Sequence, residues 1–289
     1  MKTIDTLVDD IYTTIKNKKD GWFTEELSIS LGQNVAGTLR SQLGDERPAP
    51  YLRLSQMGNK CPRALWYSIH HPELAEPLPA WAEIKYSYGH MIEALAITLA
   101  KASGHEVTGE QDELVLLGVK GHRDCIIDGH IVDVKSTSSF GFAKFKDGSL
   151  AQNDPFGYLE QLDGYMLASI DDDRVRHKDV GYILAVDKTL GHMVLYRHKL
   201  RRDHIIERIN SYKNIVALPA APSCTCGQVP HQKSGNMMLD MKASYNPYKH
   251  CCFPSLRTFI YSSGPVYLTK VVKKPDVLEI DKHGRHVYH

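Results

Sequence analysis

The chain is short of the features that would place it outside the ordinary globular classes. Net charge is nearly absent, +1 over 289 residues, so any nucleic-acid partner must be held by a local basic patch rather than by the field of the whole molecule. No apolar run approaches the roughly 20 residues of a membrane span. The opening Met1-Lys2-Thr3-Ile4-Asp5 lacks the apolar stretch of a secretory signal, and a cytoplasmic protein is the expectation. Cysteine is scarce. Six residues in so long a chain are too few for a disulfide scaffold, and their placement (Cys61 and Cys125 alone, then Cys224, Cys226, Cys251 and Cys252) leans towards thiol or metal chemistry in a reducing compartment. Repeats and low-complexity tracts are missing too. What is present is a composition 42% hydrophobic and 24% charged, ample for a packed core and incompatible with a fibrous or disordered chain.

Residues 3–16 and 22–42 space their apolar residues helically, and Arg47-Pro48-Ala49-Pro50 interrupts them as a linker would, giving a helical N-terminal appendage over 1–50. Cys61-Pro62-Arg63-Ala64-Leu65-Trp66-Tyr67 opens a short helix with proline in its first turn, and Pro72, Pro77 and Pro79 make the next stretch a loop. A further helix is expected from Tyr88 to Ser103, with Gly104 as its stop. The period then turns to alternation. Glu113–Leu117, Val119–Ile127 and His130–Ser136 read as three strands, the last two joined by Asp128-Gly129. A helix over 155–170, strands over 180–186 and 192–198 and a helix over 200–216 complete a core assigned to 51–216. The region 217–289 shows no clear period until a strand at Val266–Val272.

If Asp128 and Gly129 are the two loop residues, Asp124 faces Asp133 and His122 faces Lys135, with all four side chains on one face. Opposed Cβ atoms lie about 4.5–5.5 Å apart, so two acids there need a cation between them. Lys135 or an oxygen-ligated divalent metal would supply it. Such acids are often merely the wet face of an amphipathic hairpin. Here, however, Ile131-Val132-Asp133-Val134 sets the acid within an apolar strand, where an unpaired carboxylate is costly. Glu93 lies early on the expected preceding helix, where it could equally be an acid stabilised by the helix dipole. Gln161 and Tyr165 lie four apart on one face of a following helix, where Tyr165 could simply fill the core.

The set Arg63-Ala64-Leu65-Trp66-Tyr67, Gly89-His90-Met91-Ile92-Glu93, Gly121-His122-Arg123-Asp124, Asp133-Val134-Lys135 and Gln161-Leu162-Asp163-Gly164-Tyr165, in that order across residues 52–270, resembles the PD-(D/E)xK nuclease superfamily. The resemblance is to its RecB-like branch, which includes phage exonucleases and the iron–sulfur nucleases associated with CRISPR systems. The proline of the superfamily's name is absent before Asp124. The resemblance implies an α/β, restriction-endonuclease-like core of helix, three-stranded β-meander, helix and strand. It implies that Asp124 and Asp133 are metal carboxylates, that Lys135 positions or polarises the attacking water, and that Gln161 and Tyr165, with Tyr158 as a lesser candidate, orient the site and touch substrate. Glu93 is the preferred further ligand and His90 the second. Mg²⁺ is the expected cation, with Mn²⁺ able to replace it.

The same resemblance bears on the cysteines. In Ala243-Ser244-Tyr245-Asn246-Pro247-Tyr248-Lys249-His250-Cys251-Cys252, Ala243 and Asn246 stand where the family's C-terminal signature has cysteines, while Cys61 and Cys252 match the other two ligand positions. A [4Fe–4S] cluster is therefore not expected from those positions. Cys224, Cys226 or Cys251 could rescue a cluster, or a zinc site with His231 or His250, although Cys-x-Cys and Cys-Cys are poorer spacings than C-x-x-C. Alternatively, Cys61 and Cys252 meet as buried thiols.

Six Lys and Arg between Arg197 and Lys213 outnumber Asp203 and Glu207, and Lys270, Lys273 and Lys274 add a second basic stretch. Either could track a phosphate backbone, with Trp66, Tyr67 or Trp81 available for stacking on bases if they are not core. The expected activity is metal-dependent hydrolysis of DNA from single-stranded or duplex ends, in a phage replication, recombination or degradation setting and beside partners from it. The rivals are a structure-specific endonuclease with the same catalytic residues and a catalytically silent DNA-binding protein.

Overall fold

In a computed structural model of the chain, residues 2–44, 50–58 and 61–287 are described. The helices are α1 (Leu7–Asn17), α2 (Glu25–Leu43), α3 (Pro62–His70), α4 (Ala80–Ala102), α5 (Ser139–Lys146), α6 (Tyr158–Ala168), α7 (Arg202–Val216), α8 (Met241–Ser244) and α9 (Lys249–Cys252). The strands are β1 (Val107–Thr108), β2 (Glu113–Leu116), β3 (Val119–His122), β4 (Cys125–Ile127), β5 (His130–Thr137), β6 (Val180–Asp187), β7 (Met193–Lys199), β8 (Gln228–His231), β9 (Asn236–Leu239), β10 (Arg257–Tyr261), β11 (Gly264–Lys270) and β12 (Leu278–Ile280). Among the described residues no helix is long and apolar enough to cross a membrane. Two compact units form, one from Met1–Pro48, Arg53–Gly58 and Pro79–Ile209, the other from Ala49–Leu52, Asn59–Leu78 and Asn210–His289.

The first unit is built on a five-stranded sheet in the order β1-β4-β5-β6-β7, with β5 and β6 parallel and the other pairs antiparallel. A parallel pair needs a crossover, and α5 and α6 lie in that connection. Because side chains alternate along a strand, Val132 and Val134 of β5 point to one face, where they join Leu184 and Val186 of β6, Ala96 and Ala100 of α4, and Leu7 and Ile11 of α1. Asp133 and Lys135 are thereby turned to the opposite face. Helix α1 is thus part of the core, not of an appendage: its buried stripe at Leu7 and Ile11 repeats at helical spacing. Of the expected linker, residues 47–49 lie outside the described residues.

The Asp128-Gly129 hairpin forms in the expected register, with Cys125 opposite Val132 and Ile127 opposite His130. Both loop residues have positive φ, 50° and 81°, as a type I′ turn requires. The Asp128 carboxylate is held there by the buried His105 ring at 2.6 Å and by the Glu106 N–H at 3.1 Å.

The strand before this hairpin is not continuous, so the expected three-stranded meander is broken. β3 ends at His122 and pairs with β2 in a separate two-stranded sheet, where His122 faces Glu113 rather than Lys135 and is exposed. The cause is Arg123, whose side chain is 1% exposed. It donates to Asp112 and Asp172, each at 2.6 Å, to Ser169 Oγ at 3.0 Å and to the Gly109 carbonyl at 3.2 Å. A buried guanidinium demands such partners, and meeting them takes Arg123 and Asp124 out of the ladder. One helical boundary differs from expectation, and one helix is unexpected. α4 begins at Ala80, directly after Pro79, and α5 follows β5 with Ser138 as its cap, accepting from Gly141 N–H.

The second unit contains α3, the later part of α7, and a five-stranded sheet in the order β12-β10-β11-β9-β8, antiparallel throughout. Residues 59–78, expected in the core, belong here. Trp66 is buried and its indole donates to the Leu218 carbonyl at 2.9 Å, while Tyr67 stacks on Tyr248.

Candidate active site

Three elements of the first unit bring the expected residues together. On β5, Asp133 is 0% exposed and Lys135 Nζ lies 3.0 Å from its Oδ1 and 2.8 Å from its Oδ2. Asp124, just ahead of β4, is also buried and its Oδ2 accepts from the Val134 backbone N–H at 2.7 Å. The break at Arg123 permits this reach, since Asp124 is free of the ladder and its carboxylate takes up an N–H from the interior of β5.

Glu93 comes from the middle of α4, so the dipole at a helix N-terminus does not explain it. It is half-buried, and its Oε1 accepts from Gln111 Nε2 at 2.7 Å. Gln111 has φ 54°, a left-handed conformation that costs a non-glycine residue about 1–2 kcal/mol, and its backbone N–H also donates to the Asp124 carbonyl at 3.2 Å. His90 is more exposed, with its Nδ1 3.8 Å from Glu93 Oε2.

The charge balance is that of a site short of cations. Burial first, and then the charges of Asp133 and Glu93, push the Asp124 carboxyl well above the ordinary range. Burial also raises Asp133, against the pull of Lys135 and with Glu93 adding to the rise. Burial alone would lower Lys135, but Asp133 and Asp124 hold it above its usual value, so it stays charged. Its ammonium also lies 5.5 Å from the centre of the Tyr158 ring, within cation–π range.

Helix α6 supplies the remaining residues. Gln161 Nε2 donates to Tyr165 Oη at 2.9 Å, and burial pushes the Tyr158 phenol up to about 12 and raises Tyr165 further. Both remain neutral hydrogen-bonding groups. The helix starts where Asp154 accepts from the N–H groups of Phe156, Gly157 and Leu159. Gly157, at φ 72°, lies so close to Gly58 that a Cβ on it would stand 2.0 Å from the Gly58 Cα. Asp163, fully buried, accepts from His198 at 2.7 Å and from Arg201 Nε at 2.8 Å. Its role is to fasten α6 to β7 and to the residues that follow it.

Sequence reasoning missed Gln111, Arg123 and the anchoring work of Asp163. Asp163 carries a signal, an acid among Leu162, Met166 and Leu167, and Arg123 a weaker one, a cation on the phase of Val119 and Cys125, whereas Gln111 carries none. The basic run after Arg197 is partly engaged internally, because Arg201 pairs with Asp163 and Arg208 lies 3.9 Å from Glu160. Trp66 is core and Trp81 is exposed.

A divalent cation fits the donor set at the acids. Asp133 Oδ2 is a buried oxygen with no aligned hydrogen bond among the described residues, and the raised carboxyls mark negative charge that Lys135 alone does not balance. Glu93, Asp124 and Asp133 do not close as a set to mutual ligand spacing. Among the described residues only Cys61, Cys224, Cys226 and Cys252 do so, with all four sulfurs within 4.8 Å of one another. A hard cation such as Mg²⁺ does not need a closed cage, since it binds through one or two carboxylates and completes its shell with water and substrate phosphate.

No protein-family model matches the chain, and no curated protein matches it either. Among solved structures the chain is similar to the crystal structure of SSO0001, with TM-score 0.43 and 14% identity, covering 76% of this chain and 95% of that one. It is also similar to an alkaline exonuclease from Laribacter hongkongensis, with TM-score 0.41 and 14% identity, covering 58% of this chain and 87% of that one. Likenesses at this level assign neither a family nor an activity.

Proposed function

We propose that the first unit is a divalent-metal-dependent deoxyribonuclease of the PD-(D/E)xK type that removes nucleotides from DNA ends, with Mg²⁺ or Mn²⁺ as its cation. The observation that carries this reading is the buried Asp124–Asp133 pair with Lys135 across Asp133. A purely structural ion pair would balance its charges, whereas here two buried carboxylates and Glu93 share one ammonium.

Asp124 and Asp133 would hold the cation, with Glu93 as third ligand and His90 as an outer neighbour. When bound, the cation neutralises charge building on the phosphoryl oxygens and lowers the pKa of water. Lys135, permanently charged, places a donor beside Asp133 where it orients the attacking water and meets the developing negative charge. Gln161 and Tyr165 act as a pair, the amide fixing the phenol so that its O–H is aimed at phosphate or sugar, and Tyr158 walls the Lys135 side. DNA is the proposed substrate, and replication or recombination proteins of a phage are the proposed partners.

The test is cleavage of linear and covalently closed circular DNA, single- and double-stranded, with Mg²⁺. Loss of linear DNA alone supports the exonuclease. Cutting of the circle favours a structure-specific endonuclease with the same residues, and no cleavage of either contradicts the catalytic reading.

A further inference from the structure

Four of the second unit's five cysteines form a cluster that this chemistry does not use. Cys61 caps the N-terminus of α3, Cys252 ends α9, and Cys224 and Cys226 lie on the segment before β8. Cys61 Sγ and Cys226 Sγ each lie 3.9 Å from Cys252 Sγ, and no sulfur of the four is more than 4.8 Å from another. Cys251, next in sequence, is outside the set.

The spacing discriminates between occupants. A single zinc ion with four thiolates at about 2.3 Å in a tetrahedron holds its sulfurs about 3.8 Å apart. A four-iron cluster carries each thiolate on a separate iron and holds the sulfurs much further apart. The set therefore does not fit a [4Fe–4S] cluster. Its surroundings are those of thiolates: the sulfurs accept from the N–H groups of Ala64 at 3.5 Å and Cys226 at 3.3 Å. Asn246 Nδ2 lies 3.4 Å from Cys226 Sγ and 3.7 Å from Cys252 Sγ. Asn246 is thus not a vacancy in a ligand set but a donor to it. Ala243 is buried in the neighbouring apolar cluster with Leu239 and Leu256.

We propose that Cys61, Cys224, Cys226 and Cys252 bind one Zn²⁺ ion, a structural site that ties α3 to the segment before β8 and to α9. Four protein ligands fill the tetrahedron and leave no position for water, which is the arrangement of a structural rather than a catalytic zinc. Asn246, donating to two of the sulfurs, lowers the cost of gathering four negative thiolates around a divalent ion.

The test is the metal content and absorption spectrum of the full chain purified under reducing conditions. One zinc per chain and a colourless protein are expected. C224S and C226S lose the zinc and C251S keeps it. N246A, which removes no ligand and is expected to fold, keeps the zinc but binds it about tenfold more weakly against a competing chelator. Iron in place of zinc, with or without inorganic sulfide, overturns the proposal, as does a metal-free chain whose four thiols react freely under native conditions. None of these readouts uses DNA cleavage, so the site stands or falls independently of the nuclease reading.

Discussion

Gln111 ties Glu93 to Asp124, donating from its side chain to the first at 2.7 Å and from its backbone to the carbonyl of the second at 3.2 Å, while held at φ 54°. A strained backbone at the point where two candidate ligands meet is strain kept for positioning. Gln111→Gly relieves the left-handed cost and removes the amide. It is expected to melt no lower than wild type yet bind Mn²⁺ several-fold more weakly by titration calorimetry. Unchanged Mn²⁺ affinity would show that Glu93 needs no such support.

Much of this arrangement is legible in the sequence. Asp128-Gly129 between apolar runs sets the β4–β5 register from Cys125–Val132 to Ile127–His130, because a type I′ turn admits few residues. The spacing of Gln161 and Tyr165 places both on one helix face, where they bond. Less legible is the break at Arg123: the charged residue falls on the phase of Val119 and Cys125, but its buried partners Asp112, Asp172 and Ser169 come from elsewhere in the chain and local spacing does not name them. Nor do local patterns reveal the C-terminal sheet, whose strands β8, β9 and β12 are three or four residues long. Cys224 and Cys226 join Cys61 and Cys252 through long-range closure, which Cys-x-Cys spacing does not announce.

Lys135 is the only cation hydrogen-bonded to Asp133 among the described residues. Lys135→Met leaves Asp133 buried without it, costing roughly 3 kcal/mol at neutral pH. Asp124 and Asp133 both have folded-state values raised above those of the unfolded chain, so the native state takes up protons first and this penalty shrinks as pH falls towards the ordinary carboxylate range. Urea denaturation at neutral and mildly acidic pH checks it. A penalty that grows on acidification contradicts the assignment.

Arg123 sets the strand break that frees Asp124. Arg123→Met deprives Asp112, Asp172 and Ser169 of their buried donor and should cost about 2 kcal/mol, less than a fully buried pair because Asp112 is more than a third exposed. Hydrogen bonds from Arg174 and then Arg123 hold Asp172 below the ordinary carboxylate range. Its contribution is present above the unfolded value and is lost as pH falls through the folded one. In the variant the acid limb of the stability profile should flatten. An unchanged limb in urea denaturation would place the acid sensitivity elsewhere.

Gly157→Ala sets a methyl group against the Gly58 backbone at a positive φ, so neither neighbour can yield cheaply. Destabilisation of at least about 2 kcal/mol and loss of cleavage together are expected, since α6 carries Gln161 and Tyr165. A thermal melt within error of wild type would mean the two chain segments separate readily.

Whether Asp124, Asp133 and Lys135 form a metal-dependent phosphodiesterase site is decided by degradation of end-labelled linear DNA by wild type and by Asp133→Asn, each with Mg²⁺, with Mn²⁺ and with chelator. Wild type is expected to cleave in either metal and not with chelator, and Asp133→Asn is expected to fold but not to cleave. Cleavage that survives chelation, or that Asp133→Asn retains, would contradict the assignment of the site.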